Sequence, residues 1–256
     1  MKCSCGYDNP DDAAYCGLCY NVLKKVPRTT STPGFGGGGE SREKRLAVHE
    51  WSLVARYGVG RHTNPELLDG MADGLLQAVA GFYGQGVGLA DGVKVQFGWS
   101  GLTLKAEGTD LVICEPDFGR DPLQDTVPEV SVTLSVSLLQ ALTVNIVKAA
   151  AVDCTFKDSV MMARGILDKP QLVMHRHKEP EPGDSGWYIG SIDVDEMQRV
   201  SEQKDYEFVP SWMLYKRGRG HLLKVMCLPP HYMAIFDGDT VKGVSDPDDN
   251  ELWPRE

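Results

Sequence analysis

Apolar residues between positions 65 and 84 recur every three or four residues, which is the period of an amphipathic helix. Asn64 is suited to cap this helix, and Pro65 is suited to its first turn. From residue 93 to residue 113, apolar and polar residues alternate in three short runs that are separated by turn-forming residues. The pattern predicts one long helix followed by an antiparallel meander of three strands.

A second helix is predicted over much of residues 135–152. The residues expected on its buried face are Leu138, Leu139, Leu142, Ile146 and Val147. Ser, Gln, Asn and Lys residues interrupt this stretch, so it is too polar for a membrane span and no membrane partner is expected. Residues 153–169, which follow, carry no clear pattern.

The loop predicted at residues 114–122 contains three acids, and Glu115 and Asp117 stand two residues apart. Two carboxylates at this spacing have the chemistry to bind a metal or to act as acid and base. No histidine lies nearby in the sequence, so we interpret the segment as a solvated loop.

A hairpin is predicted around residues 171–190. Residues 171–177 have the composition of a strand, and the apolar and aromatic run 187–189 has that of a second one. Pro180, Pro182 and Gly183 indicate an exposed turn between them. The hairpin therefore brings His, Arg, Asp and Trp residues together at one end of a sheet.

Short helices and strands are predicted in the chain after the hairpin. The acids of residues 193–197 favour the start of a helix, and residues 212–215 favour a short helix or buried turn. Strands are predicted at 222–228 and 232–236, and a tight turn at 237–239 leads into a last strand. The fold class is therefore α+β, with helices packed on antiparallel sheets.

Four of the seven cysteines stand before residue 20, and they are the candidate metal ligands Cys3, Cys5, Cys16 and Cys19. Four thiolates complete a tetrahedral structural zinc site and leave no position for a catalytic water. The segment resembles the short zinc ribbons at the start of many bacterial multidomain proteins. It departs from them in having one residue, not two, between the first two cysteines. Residues 1–26 are predicted to be a zinc ribbon with one structural Zn; the alternative is four free thiols.

Residues 27–46 are rich in Thr, Ser, Pro and Gly and are predicted to be a flexible Gly-rich linker. Two α+β regions follow, residues 47–170 and 171–256. The remaining cysteines, Cys114, Cys154 and Cys227, lie in apolar surroundings and are expected to be small buried hydrophobes.

The formal net charge of −10 disfavours nucleic acid as a direct partner and favours a basic protein. The first residues lack the apolar core of a secretory signal, so we expect a cytoplasmic protein.

The hairpin also permits a catalytic interpretation. His175 and His177 would point to the same face of a strand, and with Glu179 and Asp184 they have the chemistry of a metal-dependent enzyme. The flanking prolines hold the acids in a turn, which argues against this site. Asp184 could instead accept backbone N–H groups in a turn in which Ser185 packs, or could pair with Arg176.

The hairpin and the residues after it resemble a bacterial family of immunity proteins that neutralise polymorphic toxins. The resemblance covers about residues 171–246 and is carried by Arg176, the Glu179–Pro180 step, Asp184-Ser185-Gly186-Trp187 and Ile189-Gly190. Residues 228–232 and 237–239 complete it.

This resemblance implies a non-enzymatic protein that binds and inhibits a cognate secreted antibacterial toxin by covering its active site. Delivery by a secretion system such as type VI is implied, and the acidic charge favours a basic nuclease as the toxin. The candidate toxin-binding residues are Arg176, Glu179, Asp184, Trp187, Trp212, Asp237, Asp239, Asp246, Asp248 and Asp249. A third hypothesis is a zinc-ribbon regulatory protein that acts on transcription or secretion machinery.

Overall fold

The computed structural model describes residues 40–60, 64–193 and 205–253, and these residues form two sheets of six strands each with helices packed against them. The predicted α+β class is confirmed for this part of the chain, but the sheets are mixed and not purely antiparallel, because each contains one parallel pair. The predicted zinc ribbon, its four cysteines and linker residues 27–39 lie outside the described residues.

The first sheet has the strand order β1-β2-β5-β4-β3, with β6 paired to β5. Its pairs are antiparallel except for β2 and β5, which are parallel. The strands are β1 (Glu40–Val48), β2 (Trp51–Val59), β3 (Lys94–Phe97), β4 (Ser100–Glu107), β5 (Asp110–Pro116) and β6 (Thr126–Val127).

Helix α1 (Pro65–Gly84) and the meander β3-β4-β5 confirm the pattern-based predictions. The side chain of Asn64 accepts the N–H groups of Glu66 and Leu67, as expected for an N-cap. Leu68, Ala72, Leu75, Leu76 and Val79 bury the apolar face of α1 against the sheet.

Strand β1 corrects the end of the predicted linker, because residues 40–46 lie in a strand. All nine residues of β1 pair with β2 in an antiparallel register. Its charged side chains are held by acids on neighbouring elements: Arg42 pairs with Asp69, and Lys44 pairs with Asp73. The charged residues lie on both faces of this edge strand: Arg42 and Lys44 are partly buried towards α1, whereas Glu43 and Arg45 are exposed.

Helix α2 (Ser131–Val147) begins four residues before the predicted start. Leu142 and Ile146, expected in the core, are 38% and 40% exposed, whereas the first two turns are buried all round. Leu134 packs in the core of the first sheet, and Val136 packs in the core of the second. The helix is buried on two sides because it separates the two cores.

Glu115 corrects the predicted solvated loop, because β5 extends to Pro116 and the carboxylate is buried. Its oxygens accept the N–H groups of Val132 and Thr133 at 3.0 and 2.7 Å. Burial raises the pKa of Glu115 to about 8, although these hydrogen bonds act in the opposite direction. Glu115 therefore caps a helix from another element, since Val130 at the N-cap provides no side-chain acceptor.

The second sheet has the strand order β10-β7-β9-β8-β11-β12. Neighbouring strands are antiparallel except β7 and β9, which are parallel. The strands are β7 (Ser159–Ala163), β8 (Gln171–Arg176), β9 (Asp184–Gly190), β10 (Tyr206–Pro210), β11 (Met233–Asp237) and β12 (Thr240–Ser245).

Strand β7 shifts the predicted boundary between the two α+β regions. It lies before residue 171, yet it pairs with β9 and β10 inside the second sheet. The predicted hairpin β8-β9 and the last hairpin β11-β12 are confirmed.

Two short helical segments cover the core side of this sheet. Helix α3 (Trp212–Lys216) confirms the short helix predicted there. The strand predicted at 222–228 is wrong, because a 3-10 helix occupies Gly220–Val225. Most of the helix predicted to start at residues 193–197 lies outside the described residues. In the described ranges, no helix is long and apolar enough to cross a membrane.

Candidate binding surface at the hairpin end of the second sheet

The Arg176 guanidinium is fully buried and is held by backbone carbonyl groups from three segments. It donates to the carbonyl oxygens of Ser185, Leu228 and Asp153 at 2.9, 2.6 and 3.3 Å, and it lies 6.0 Å from the Trp187 ring centroid. Burial lowers the pKa of Arg176. The residue that carries much of the family resemblance therefore joins the hairpin to two other segments inside the core and presents no surface to a partner.

The turn Asp184-Ser185-Gly186 confirms the structural interpretation of these residues. Asp184 accepts the N–H of Gly186 at 2.9 Å, and the Ser185 hydroxyl donates to the carbonyl of Ser159 at 2.7 Å. Asp184 also forms an ion pair with Lys178 at 2.8 Å. Partial burial raises the pKa of Asp184, but the Lys178 and Gly186 bonds outweigh it and leave the pKa below its ordinary value.

The predicted alternative, a pair of Arg176 with Asp184, is wrong, because the Arg176 guanidinium is bonded to three backbone carbonyl oxygens and Asp184 is bonded to Lys178 and to the N–H of Gly186. Gly186 has a φ of +73°, and a Cβ atom there would overlap the Lys178 carbonyl oxygen. Only glycine fits this position without strain.

Trp187 and Trp212 are corrections to the predicted contact residues. They are 0% and 1% exposed and belong to the core of the second sheet. The Trp187 indole N–H donates to the carbonyl of Met226 at 3.0 Å. Neither ring can anchor a partner in this structure, because neither reaches the surface.

The predicted acidic contacts separate into two groups at opposite ends of the sheet. Asp237 pairs with Gln171 at the start of β8, so Asp237 and Asp239 lie at the end away from the hairpin turn. Ser245 pairs with Met233, and Met233 pairs with His175 near the end of β8. The turn at residues 246–250 therefore lies on the same side as the hairpin turn at residues 177–183.

We call this side, with both turns, the hairpin end. Glu179, Glu181, Asp248 and Asp249 are exposed there. Asp246 stabilises the turn, since its Oδ1 accepts the N–H groups of Asp248 and Asn250. The exposed acids give the hairpin end a negative field, which sequence order alone does not reveal because the two turns are more than sixty residues apart.

The hypothesis of a metal-dependent site at the hairpin is not supported by the geometry. His177 and Glu179 are exposed, and Asp184 is engaged by Lys178 and Gly186. Burial lowers the pKa of His175, and the neighbouring His177 and His231 lower it further. Across the described ranges, no group of three or more His, Cys, Asp or Glu side chains is arranged to hold a metal.

One surface feature was missed by sequence reasoning. The strand registers place mainly apolar and aromatic residues in a row across the outer face of all six strands. The row is Phe208, Met161, Tyr188, His175, Met233 and Ser245. Phe208 is 49% exposed. The alternation of outward and inward residues within each strand is visible in the sequence. The row across the strands can be recognised only when the register between the strands is known.

Residues 139–246 match the model of the family described as the Imm33-like domain. The match includes the second half of α2 and every strand of the second sheet, and it supports similarity to immunity proteins. It starts well before residue 171, where the resemblance was expected to start, and so includes β7. No curated protein and no solved structure matches the chain at a significant level.

Proposed function

We propose that this protein is an immunity protein that binds a cognate antibacterial toxin and blocks its activity. The observation that carries the proposal is the Imm33-like match over residues 139–246, which coincides with the second sheet. Immunity proteins act by association, so the function requires a surface and no catalytic group. The hypothesis of a regulatory protein has no observation of its own in the described residues.

The hairpin end is the surface that best suits a basic toxin. Its exposed acids stand on two turns, and the protein as a whole carries a formal charge of −10. Toxins that cut nucleic acid carry excess Lys and Arg, because they must bind phosphate. We therefore propose a nuclease, delivered by a secretion system such as type VI and neutralised in the cytoplasm by coverage of its active site.

The charge pattern can be tested with a matched pair of double variants. The protein is mixed with the C-terminal domain of the toxin encoded beside its gene, and association is measured at low salt. We expect Glu179→Lys with Asp248→Lys to slow association about tenfold or more, because acids at an interface steer a basic partner. Asp237→Lys with Asp239→Lys makes the same charge change at the opposite end and should have a much smaller effect.

The absence of any stable complex with the wild-type protein would contradict the immunity proposal itself. Equal effects of the two double variants would leave that proposal standing and reject the hairpin end as the contact surface. Inhibition of nuclease activity at an equimolar ratio is the expected functional result.

For the N-terminal cysteines we propose one structural zinc ion bound by Cys3, Cys5, Cys16 and Cys19. Four thiolates satisfy the tetrahedral preference of zinc. Metal analysis of the full chain should find one zinc per molecule, and Cys16→Ser with Cys19→Ser should remove it. A metal-free wild-type protein that was purified without chelator would contradict this site.

A further inference from the structure

The second sheet has an uncharged outer face, which is the face turned away from the core that α2 and α3 cover. The registers of four neighbouring strands, β7, β9, β8 and β11, bring its side chains next to one another. Burial lowers the pKa of the histidine in this group, so that it is neutral at neutral pH. The residues, each partly exposed, are Met161, Val173, His175, Tyr188, Met233 and Ile235. We call them the outer face.

The corresponding face of the first sheet, turned away from α1, has a different chemistry. Glu43, Arg56 and Glu107 form a chain of ion pairs over it. The apolar residues of that face are fully buried; they are Val54, Val112 and Cys114. One sheet therefore presents paired charges on its open face, whereas the other presents partly exposed apolar and aromatic side chains.

Tyr188, in the middle of the outer face, is held in one position by its neighbours. A Cβ atom added at Gly190 would lie within 2.7 Å of three atoms of the Tyr188 side chain, so the ring lies flat over this glycine. The Tyr188 ring centroid is also 6.1 Å from that of Tyr206, in an edge-to-face arrangement. A tyrosine ring that is already fixed loses little conformational entropy when a partner covers it.

The acidic hairpin end is continuous with the outer face. His175 pairs with Met233, and Met233 pairs with Ser245 at the start of the turn that follows β12. Residues 177–184 and 245–251, which lie directly beyond these pairs, contain seven carboxylates and one lysine. The carboxylates are those of Glu179, Glu181, Asp184, Asp246, Asp248, Asp249 and Glu251. An apolar surface with a row of acids along one side fits a partner that has the reverse charge along one side of its own contact surface.

The dimensions indicate that the two regions act together. Six strands about 4.8 Å apart and about 20 Å long give a face of roughly 500 Å². A stable protein complex buries about 800 Å² on each partner. The outer face alone is smaller than this, and the two acidic turns beside it supply the remaining area.

Charge also discriminates between the possible occupants of the outer face. A second copy of the chain would bring another formal charge of −10 to the contact, and the two copies would repel each other. A basic protein would be attracted by the same field. The charge therefore favours a basic partner over self-association.

We infer that the toxin docks on the outer face, with an apolar or aromatic patch of its surface against Met161, Tyr188 and Met233 and with its Lys and Arg residues beside the hairpin end. The inference rests on the proposed immunity function and names the surface that this function uses. The acids steer the encounter and set the association rate. The outer face sets the dissociation rate, because its apolar contacts have to be broken before the toxin can leave.

Methionine oxidation tests this surface on the wild-type full chain. The free protein and its complex with the C-terminal domain of the neighbouring toxin are treated with dilute hydrogen peroxide, and sulfoxide at each methionine is measured by mass spectrometry. We expect Met161 and Met233 to oxidise about fivefold or more slowly in the complex, because coverage by the toxin excludes the oxidant. Met71 is the matched control, since it is also partly exposed but lies on α1 of the first half. Its rate should not change.

Binding kinetics provide a second test. Tyr188→Ala should speed dissociation of the toxin about tenfold or more and change association by less than about twofold, as expected for an aromatic residue at the centre of an interface. Tyr83→Ala is the matched control, because Tyr83 is 41% exposed on α1. It should leave both rates unchanged. Thermal unfolding shows whether the variants fold, and the oxidation measurement does not depend on them.

The outcomes separate this inference from the immunity proposal. The absence of any complex would contradict both. A stable complex in which Met161 and Met233 oxidise as fast as in the free protein would overturn the outer face as the contact surface and leave the immunity proposal standing. Protection that rises with the concentration of the protein alone would show that a second copy covers this face, and the assignment to the toxin would be wrong.

Discussion

The surface arginines of the first half and Arg176 of the second half are held in different ways, although the second half also has one surface ion pair, between Arg217 and Glu207. In the first half, arginines lie at the surface in ion pairs: Arg45 with Asp110 at 2.8 Å, and Arg56 with Glu107 at 2.9 Å. In the second half, Arg176 is fully buried and donates to three carbonyl oxygens, with no carboxylate bonded to it. The first arrangement spreads charge over an edge of the sheet, and the second concentrates it at one point of the core.

The two arrangements indicate where each half tolerates substitution. Partly exposed ion pairs are screened by water and contribute at most about 1 kcal/mol each. A buried cation leaves several acceptors without partners when it is removed, and each one then adds its own desolvation cost. Removal of Arg176 is therefore expected to destabilise the second half more than removal of any one surface ion pair destabilises the first sheet.

The largest effect is expected for Arg176→Met. Methionine fills part of the space but leaves the carbonyls of Ser185, Leu228 and Asp153 without their donor. We expect a loss of about 3–5 kcal/mol in the free energy of unfolding, measured by chemical denaturation. Arg176→Lys keeps the charge without the planar fork and should recover only part of the loss. A loss below about 1 kcal/mol would remove the contrast between the halves.

Gly186→Ala is expected to destabilise the second half by about 2–4 kcal/mol, because a Cβ atom would meet the Lys178 carbonyl and the φ of +73° strains any other residue. Gly183→Ala is the control. Gly183 also has a positive φ, of +84°, but a Cβ atom there has no neighbour within 4 Å. Its cost should be about 1 kcal/mol. Similar losses in the two variants, in thermal or chemical unfolding, would show that the overlap is relieved by a shift of the hairpin.

Glu115 gives the first half a buried titratable group, and we expect it to make the stability of the protein depend on pH. The pKa is raised to about 8 in the folded state from an ordinary 4.5, so the folded protein holds this proton where the unfolded chain has lost it. The contribution of this carboxyl is complete below about pH 4.5 and declines as the pH rises towards 8. The slope is at most about 1.4 kcal/mol per pH unit.

Glu115→Gln should flatten this part of the stability curve, since the amide does not titrate. It keeps one acceptor oxygen for the N–H groups of Val132 and Thr133, where the carboxyl has two, so its stability should be lower at all pH values. The measurement is the free energy of unfolding of both proteins between pH 5 and pH 8. Parallel curves would contradict the raised pKa.

The smallest effect is expected for Arg56→Gln. The side chain pairs with Glu43 and Glu107 and keeps about a third of its surface exposed. We expect a loss below about 1 kcal/mol that shrinks further in high salt, because salt screens exposed charges. A loss as large as that of Arg176→Met would show that the surface pairs of the first half act as a unit.

Elements with a strong local period could be predicted from the sequence. The cap at Asn64, the three strands of the meander and the hairpin β8-β9 depend on turn residues and alternation that lie within a few residues of one another. The burial of α2 could not be predicted in this way. Its residues face two separate cores, so one apolar face does not describe it.

The candidate site was predicted less well, because burial depends on residues far away in sequence. The indole N–H of Trp187 donates to a carbonyl oxygen in the core. The sequence alone does not distinguish such a tryptophan from one that anchors an interface. The apolar run at 222–228 suits a strand or a buried helical turn equally, and the second occurs. The hairpin end required the register of β8, β11 and β12 before its acids could be seen together.

The position of β7 constrains how the protein can be cut into parts. The strand precedes the hairpin in sequence, but it lies between β9 and β10 and is hydrogen-bonded to both. A fragment that began at residue 171 would carry the complete resemblance and yet would lack an interior strand. Two open strand edges would then offer unpaired N–H and C=O groups to any neighbouring chain. Such a fragment should aggregate, whereas one that starts ahead of α2 retains the complete second sheet.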